Sequence, residues 1–170
     1  QVTLALTCLL TLQGVPCLYY GMEQGMSAAG SSRESARECL WRNPAVLTSN
    51  PQHLYYRAIA RIAGLRAAQP ALRYGRQYFR PLTGDDVNFG YSPYPGGVLA
   101  YSRVLNDQET VVVVNTSQTD PAAVSVVVDR HIHQPGSSLS VLFSSLTLHG
   151  TPAPAAPGPV YLASGRALVR

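Results

Sequence analysis

At 170 residues the chain has room for one ordinary domain, or for a small domain plus part of another. A hydrophobic fraction of 46% and a charged fraction of 13% describe a core-forming polypeptide and exclude a disordered one. The net charge of +4 rests on thirteen arginines and no lysine; the six between Arg57 and Arg80 spread over a helix and the connection after it and read as a solvated helix face, which speaks against a nucleic-acid face.

Val2, Leu6, Leu9 and Leu10 recur at helical spacing, so residues 1–12 read as the end of an amphipathic helix stopped by Gln13-Gly14. Thr3, Thr7, Thr11, Gln13, Gly14 and Pro16 interrupt this opening stretch and no basic leader precedes it. Neither a signal peptide nor a membrane span is expected. Val15 to Tyr20 is a continuous apolar run with Pro16 near its start, which predicts a short strand buried on both faces, as in a parallel sheet covered by helices. Cys8 and Cys17 then act as small hydrophobes in apolar surroundings. With Cys39 they make an odd number without metal-ligand spacing, so no disulfide framework follows and the compartment stays open.

Residues 21–50 lack periodicity and read as a long loop, with Gly, Ala and Ser concentrated between Gly25 and Ser35. Asn50-Pro51 reads as an N-cap followed by proline at the first helical position. The helix it opens runs to about Ala68, with Leu54, Ala58, Ile62 and Leu65 on one stripe, Arg57 and Arg61 on a more exposed strip, and Pro70 as its stop. From about Phe79 the period changes. Val98–Leu105, Thr110–Thr116, Ala123–Asp129, Leu139–Ser145, Val160–Leu162 and Ala167–Arg170 read as strands, separated by Asn106-Asp107, Asp120-Pro121, Pro135-Gly136 and Ser164-Gly165. Closely spaced strands without a helical pattern predict an antiparallel β-sandwich. His131 and His133 alternate, so both imidazoles could share a strand face as half of a metal site; no third ligand lies near in sequence and the pair falls where a strand gives way to a turn, so no metal is expected. No glycine-flanked nucleophile elbow and no phosphate-cradling glycine spacing occurs.

Several segments, in order, resemble one family. Gly14-Val15-Pro16-Cys17-Leu18-Tyr19-Tyr20-Gly21-Met22-Glu23 resembles the eighth-strand signature of the α-amylase family of glycoside hydrolases, glycoside hydrolase family 13. Arg37-Glu38-Cys39-Leu40-Trp41 is similar to the Arg-Glu segment that follows in many members. Leu54 to Arg66, closing on Pro70 to Gly75, is similar to the eighth helix and its exit, and Val111-Val112-Val113-Val114-Asn115 to a strand of the C-terminal sandwich. The implied fold class is α+β as a fragment. Residues 1–75 would be the last helix–strand–helix portion of a (β/α)8 barrel, and residues 76–170 an antiparallel β-sandwich. Only thirteen residues precede the signature and the first is Gln1, not methionine, so the chain is expected to be the tail of a longer enzyme.

Retaining glycoside hydrolysis needs two carboxyl groups about 5 Å apart. The family takes them from the fourth and fifth strands, with a third carboxylate from the seventh. Here no aspartate precedes Asp85, and the early carboxylates are Glu23, Glu34 and Glu38 alone. Glu23 cannot be both nucleophile and acid, so no catalytic residue is assigned and the chain alone is expected to be inert.

What the resemblance implies is a substrate-side edge at the C-terminal end of the last barrel strand. Tyr20, Gly21, Glu23 and Gln24 would lie there, against the alternative that the tyrosines are core aromatics and Glu23 a scaffold ion-pair partner. Arg37 and Trp41 would line an acceptor site or anchor the loop. The implied partners are an α-glucan or oligosaccharide in the intact parent and the remainder of the barrel, with no cofactor, nucleic acid or membrane. The competing readings are a free-standing carbohydrate-binding sandwich, for which Tyr91 and Tyr94 are the candidate platform, and a structural domain.

Overall fold

A computed structural model describes residues 1–26, 50–91, 97–117, 119–152 and 155–170. Helix α1 spans Val2–Thr11, as its periodicity predicts, and buries Thr3, Leu6, Leu10 and Thr11 along one face. The hydroxyls of Thr7 and Thr11 fold back onto the carbonyls of Thr3 and Thr7, at 2.9 and 2.6 Å, which satisfies polar groups on a face that is otherwise packed. After a 3-10 turn at Met22–Gln24 comes α2, Leu54–Ala68. Leu6, Ala58 and Leu148 form a buried cluster, with Met22, Leu54, Tyr55, Ile59 and Phe143 packed around it. None of the helices among the described residues is long and apolar enough to cross a membrane.

Helix α2 begins later than Asn50-Pro51 suggests. Its N-cap is His53, whose Nδ1 accepts the Tyr55 N–H at 3.3 Å. Asn50 closes a turn one step earlier, its Oδ1 accepting the Gln52 N–H and its carbonyl the His53 N–H. At the other end Pro70 does more than stop α2: it is the first residue of a further short helix, α3, Pro70–Tyr74, where its missing N–H costs nothing.

Among the described residues seven strands follow: β1 Arg76–Phe79, β2 Leu82–Thr83, β3 Val98–Leu105, β4 Gln108–Asn115, β5 Ser125–Val127, β6 Tyr161–Ala163 and β7 Arg166–Val169, with a short helix α4 at Ser145–Leu148 between β5 and β6. They make two antiparallel sheets, β1-β3-β4 and β2-β5-β7-β6. The two sheets share one apolar cluster, in which Val98 and Ala100 meet Leu82, Val126, Ala167 and Val169. Tyr101 and Arg103, pointing the other way by the period of two, reach α1 and Gly75. β3 is thus buried on both faces, and the first sheet stands between the helices and the second sheet.

Three expectations fail here for stated reasons. Residues 15–19 form no strand, and Val15 is 95% exposed; a strand buried on both faces needs neighbours, and no described strand lies alongside. Cys17 is exposed for the same reason, whereas Cys8 is half-buried. Residues 139–145 form no strand either. Leu139 packs on the inter-sheet cluster and Phe143 on the helical one, so the run bridges two cores, and Ser144 caps α4 by accepting the Leu146 N–H. His131 and His133 do follow the expectation, lying at the turn after β5: His131 is exposed, while His133 turns towards Glu109.

Candidate functional site

The segment from Gly14 to Gly25 leaves α1 at Leu12, whose backbone is extended at ψ 160°. The aromatic pair Tyr19 and Tyr20 stand with ring centroids 4.4 Å apart and planes tilted by 33°, at 47% and 43% exposure. The chain then turns sharply. Gly21 has φ +81°, and a Cβ there would run into the Met26 side chain; its carbonyl accepts the Met26 N–H at 3.0 Å. Gly25 has φ +64° and sits against the His53 and Tyr55 rings, themselves edge-on at 5.1 Å. Both positions demand glycine: positive φ and close approach coincide.

Between these glycines, Glu23 is half-buried. Every other described carboxylate lies beyond residue 84, so no second carboxyl group from the described N-terminal residues joins it for double displacement. Gln24 is engaged by backbone: its Oε1 accepts the Asn50 N–H at 2.9 Å and its Nε2 donates to the Asn50 carbonyl at 3.4 Å. That pairing joins Gln24 to a residue 26 positions on, a role its sequence position does not announce. Arg37 and Trp41 lie outside the described residues, as does Tyr94, and Cys39 with them.

The start of the segment is fastened by two arginines. Arg66 of α2 donates from Nη1 to the carbonyls of Leu10 (2.9 Å) and Leu72 (2.8 Å), and from Nη2 to that of Gly14 (2.8 Å). Arg103 of β3, 1% exposed, donates from Nη1 to the Thr11 carbonyl and from Nη2 to that of Gly75, each at 2.8 Å. The last carbonyls of a helix have no partner within it, and cations there also meet the negative end of its dipole. Burial, and next the neighbouring Arg66 charge, push the Arg103 pKa down.

Sequence reasoning also missed a buried polar cluster between the sheets. The Glu109 side chain is closed to solvent; it meets Arg80 Nη2 at 2.5 Å, contacts the Ser102 hydroxyl, and accepts the Asp129 N–H at 2.9 Å. His133 Nε2 stands 3.1 Å from Glu109 Oε2 but off the hydrogen-bonding direction. Serine and histidine both face the carboxylate instead of each other, so the order of a nucleophilic triad is absent from this cluster. Among the described residues no three His, Cys, Asp or Glu side chains gather to hold a metal ion.

No protein-family model matches the chain. It is similar to the cyclomaltodextrin glucanotransferase of Bacillus sp. (strain 1011), 31% identical over 124 residues that make up 73% of this chain and 15% of that protein. The cyclomaltodextrin glucanotransferase of Niallia circulans is 34% identical over 124 residues, with the same shares. The α-amylase of Niallia circulans is 27% identical over 121 residues, 71% of this chain and 19% of that protein. These relatives support the α-amylase family for the chain. The chain spans about 15% of the length of the glucanotransferases it matches.

Proposed function

We propose that these residues are the C-terminal portion of an α-amylase-like glycoside hydrolase or transglycosylase acting on α-glucosidic linkages. The observation that carries this reading is the 31–34% identity to glucanotransferases across 73% of the chain. Residues 1–75 close the catalytic barrel and residues 76–170 form its C-terminal β-sandwich. The exposed apolar run from Val15 to Tyr20 is the face that the remainder of the barrel covers. Tyr20, Gly21, Glu23 and Gln24 stand at the substrate edge, with Gln24 also bonded to the Asn50 backbone, and the catalytic carboxylates belong to earlier strands. The parent works by double displacement through a covalent glycosyl-enzyme; the chain by itself has no turnover. The test is an assay of the full chain on soluble starch and maltoheptaose. No turnover is expected. Turnover that disappears in Glu23→Gln would overturn the assignment of chemistry to other strands, and saturable maltoheptaose binding centred on Tyr91 would favour a free-standing binding module.

A further inference from the structure

We propose that Arg66 and Arg103 are positioning residues that fix the take-off of the Gly14–Gly25 segment, so that α2 and β3 together govern the substrate edge through the C-terminal end of α1. The functional half of this inference rests on the reading of that segment as a substrate edge.

The two guanidinium groups bond a connected set of carbonyls. Arg66 holds Leu10 and Gly14, on either side of the helix end, and ties both to Leu72 of α3. Arg103 holds Thr11, between them, and ties it to Gly75. A third link runs from the Gln13 N–H to Gln77 Oε1 of β1 at 2.7 Å, and a fourth joins the hydroxyls of Thr11 and Tyr101. Four backbone positions in five residues, from Leu10 to Gly14, are therefore held by side chains from α2, β1 and β3. Both guanidiniums donate to backbone carbonyls, and no carboxylate is among these acceptors. Such an arrangement is costly for a simple ion pair but suits a planar fork that must bridge several fixed acceptors. At the far end, Gln24 is pinned to Asn50 and Gly25 lies against His53. Between the two anchors the chain is in no sheet. Within it Met22 rests on the helical core cluster, and the position from which the segment starts is set jointly by α2, β1 and β3.

The experiment places a nitroxide on Cys17, three residues past the clamp, in the full chain with Cys8→Ala and Cys39→Ser. Arg66→Met and Arg103→Met are expected to narrow its spectrum while the sheets keep their native circular dichroism, and Arg66→Lys, which keeps the charge but not the fork, is expected to fall between. An unchanged spectrum in folded Arg66→Met overturns the clamp. Should Arg103→Met fail to fold, Arg66→Met decides the clamp, because its three acceptors lie outside the sheets, and Tyr101→Phe, which removes the other link from β3, decides the part of β3: an unchanged spectrum there overturns it. A second arm uses the Niallia circulans glucanotransferase with its matched segment replaced by this chain. There both substitutions are expected to raise KM for maltoheptaose about tenfold with kcat held, the scale of one lost charge-assisted hydrogen bond. A loosened segment with KM and kcat both unchanged overturns the positioning role. A folded chimera without any activity would sink the substrate-edge reading instead, with the spectra still deciding the clamp.

Discussion

The hydroxyls of Thr11 and Tyr101 lie 2.6 Å apart, joining the last turn of α1 to the middle of β3 across 90 residues of sequence. Tyr101 is fully buried, and burial pushes its phenol up to about 12, against the partial relief that the Thr11 bond gives. A raised pKa means that the folded chain holds this proton more tightly than the unfolded one. Its contribution is complete below the usual value of 10.0 and is lost as pH rises through about 12. Ultraviolet titration should therefore show one tyrosine ionising only as the chain unfolds in alkali. Tyr101→Phe should remove that step and cost roughly 1 kcal/mol in urea unfolding at neutral pH.

Glu109 is the centre of the inter-sheet polar cluster, closed to solvent while Arg80 is nearly so. Taking away the carboxylate leaves the largely buried Arg80 guanidinium to the Ser102 hydroxyl and the Asp129 carboxylate at 3.8 Å, and the Ser102 hydroxyl and the Asp129 N–H without their acceptor. Glu109→Ala should cost about 3–5 kcal/mol in urea unfolding, the range for breaking one side of a buried pair. Glu109→Gln, which keeps an acceptor oxygen, should cost less. Equal stability of Glu109→Ala and the unsubstituted chain would mean the cluster is not structural.

Asp85 caps its own loop. Its carboxylate accepts the Asn88 backbone N–H, then the Asn88 side chain, the Val87 N–H and the Thr83 hydroxyl, and these hold its pKa well below the usual 3.8. A depressed pKa contributes stability above 3.8 that is lost as pH falls towards the folded value. Acid unfolding should accordingly lose part of its pH slope in Asp85→Asn, measured by thermal melts from neutral pH downward. The same slope in both chains would remove Asp85 from the account.

The two described thiols should separate kinetically. Cys17 is exposed, whereas Cys8 is half-buried and burial pushes its thiol pKa up. Only the thiolate attacks an electrophile. Peptide mapping after brief maleimide exposure should find Cys17 modified well ahead of Cys8, with the difference vanishing in denaturant. Equal rates in the folded chain would place Cys17 in contact with something.

What the sequence made legible was structure stabilised by neighbours close in the chain. β3 and the turn at Asn106-Asp107 announce themselves because a long apolar run, a turn pair and a second run lie consecutively, and the β3–β4 register runs from Val98↔Asn115 to Leu105↔Gln108. Helix α2 keeps its predicted stripe, with Ala58 and Ile62 buried. The failures share a cause: apolar runs whose partners are distant. Val15–Tyr20 has the composition of a buried strand but no described strand beside it, and Leu139–Phe143 spends its side chains on two separate cores. At the site, glycine spacing revealed the turns at Gly21 and Gly25. The attachment of Gln24 to Asn50, and of Arg66 and Arg103 to the end of α1, left no trace, because a guanidinium or amide that bonds backbone carbonyls can do so to any residue type.

The central claim is that this chain is the C-terminal portion of an α-glucan-acting enzyme whose catalytic carboxylates lie on other strands. Replacing the matched segment of the Niallia circulans glucanotransferase with this chain, and assaying the chimera on α-glucan beside the chain alone, tests it most directly. The account predicts a chimera that retains activity and a chain that has none. Turnover by the chain alone, or a folded chimera with intact parental carboxylates and no activity, would contradict it.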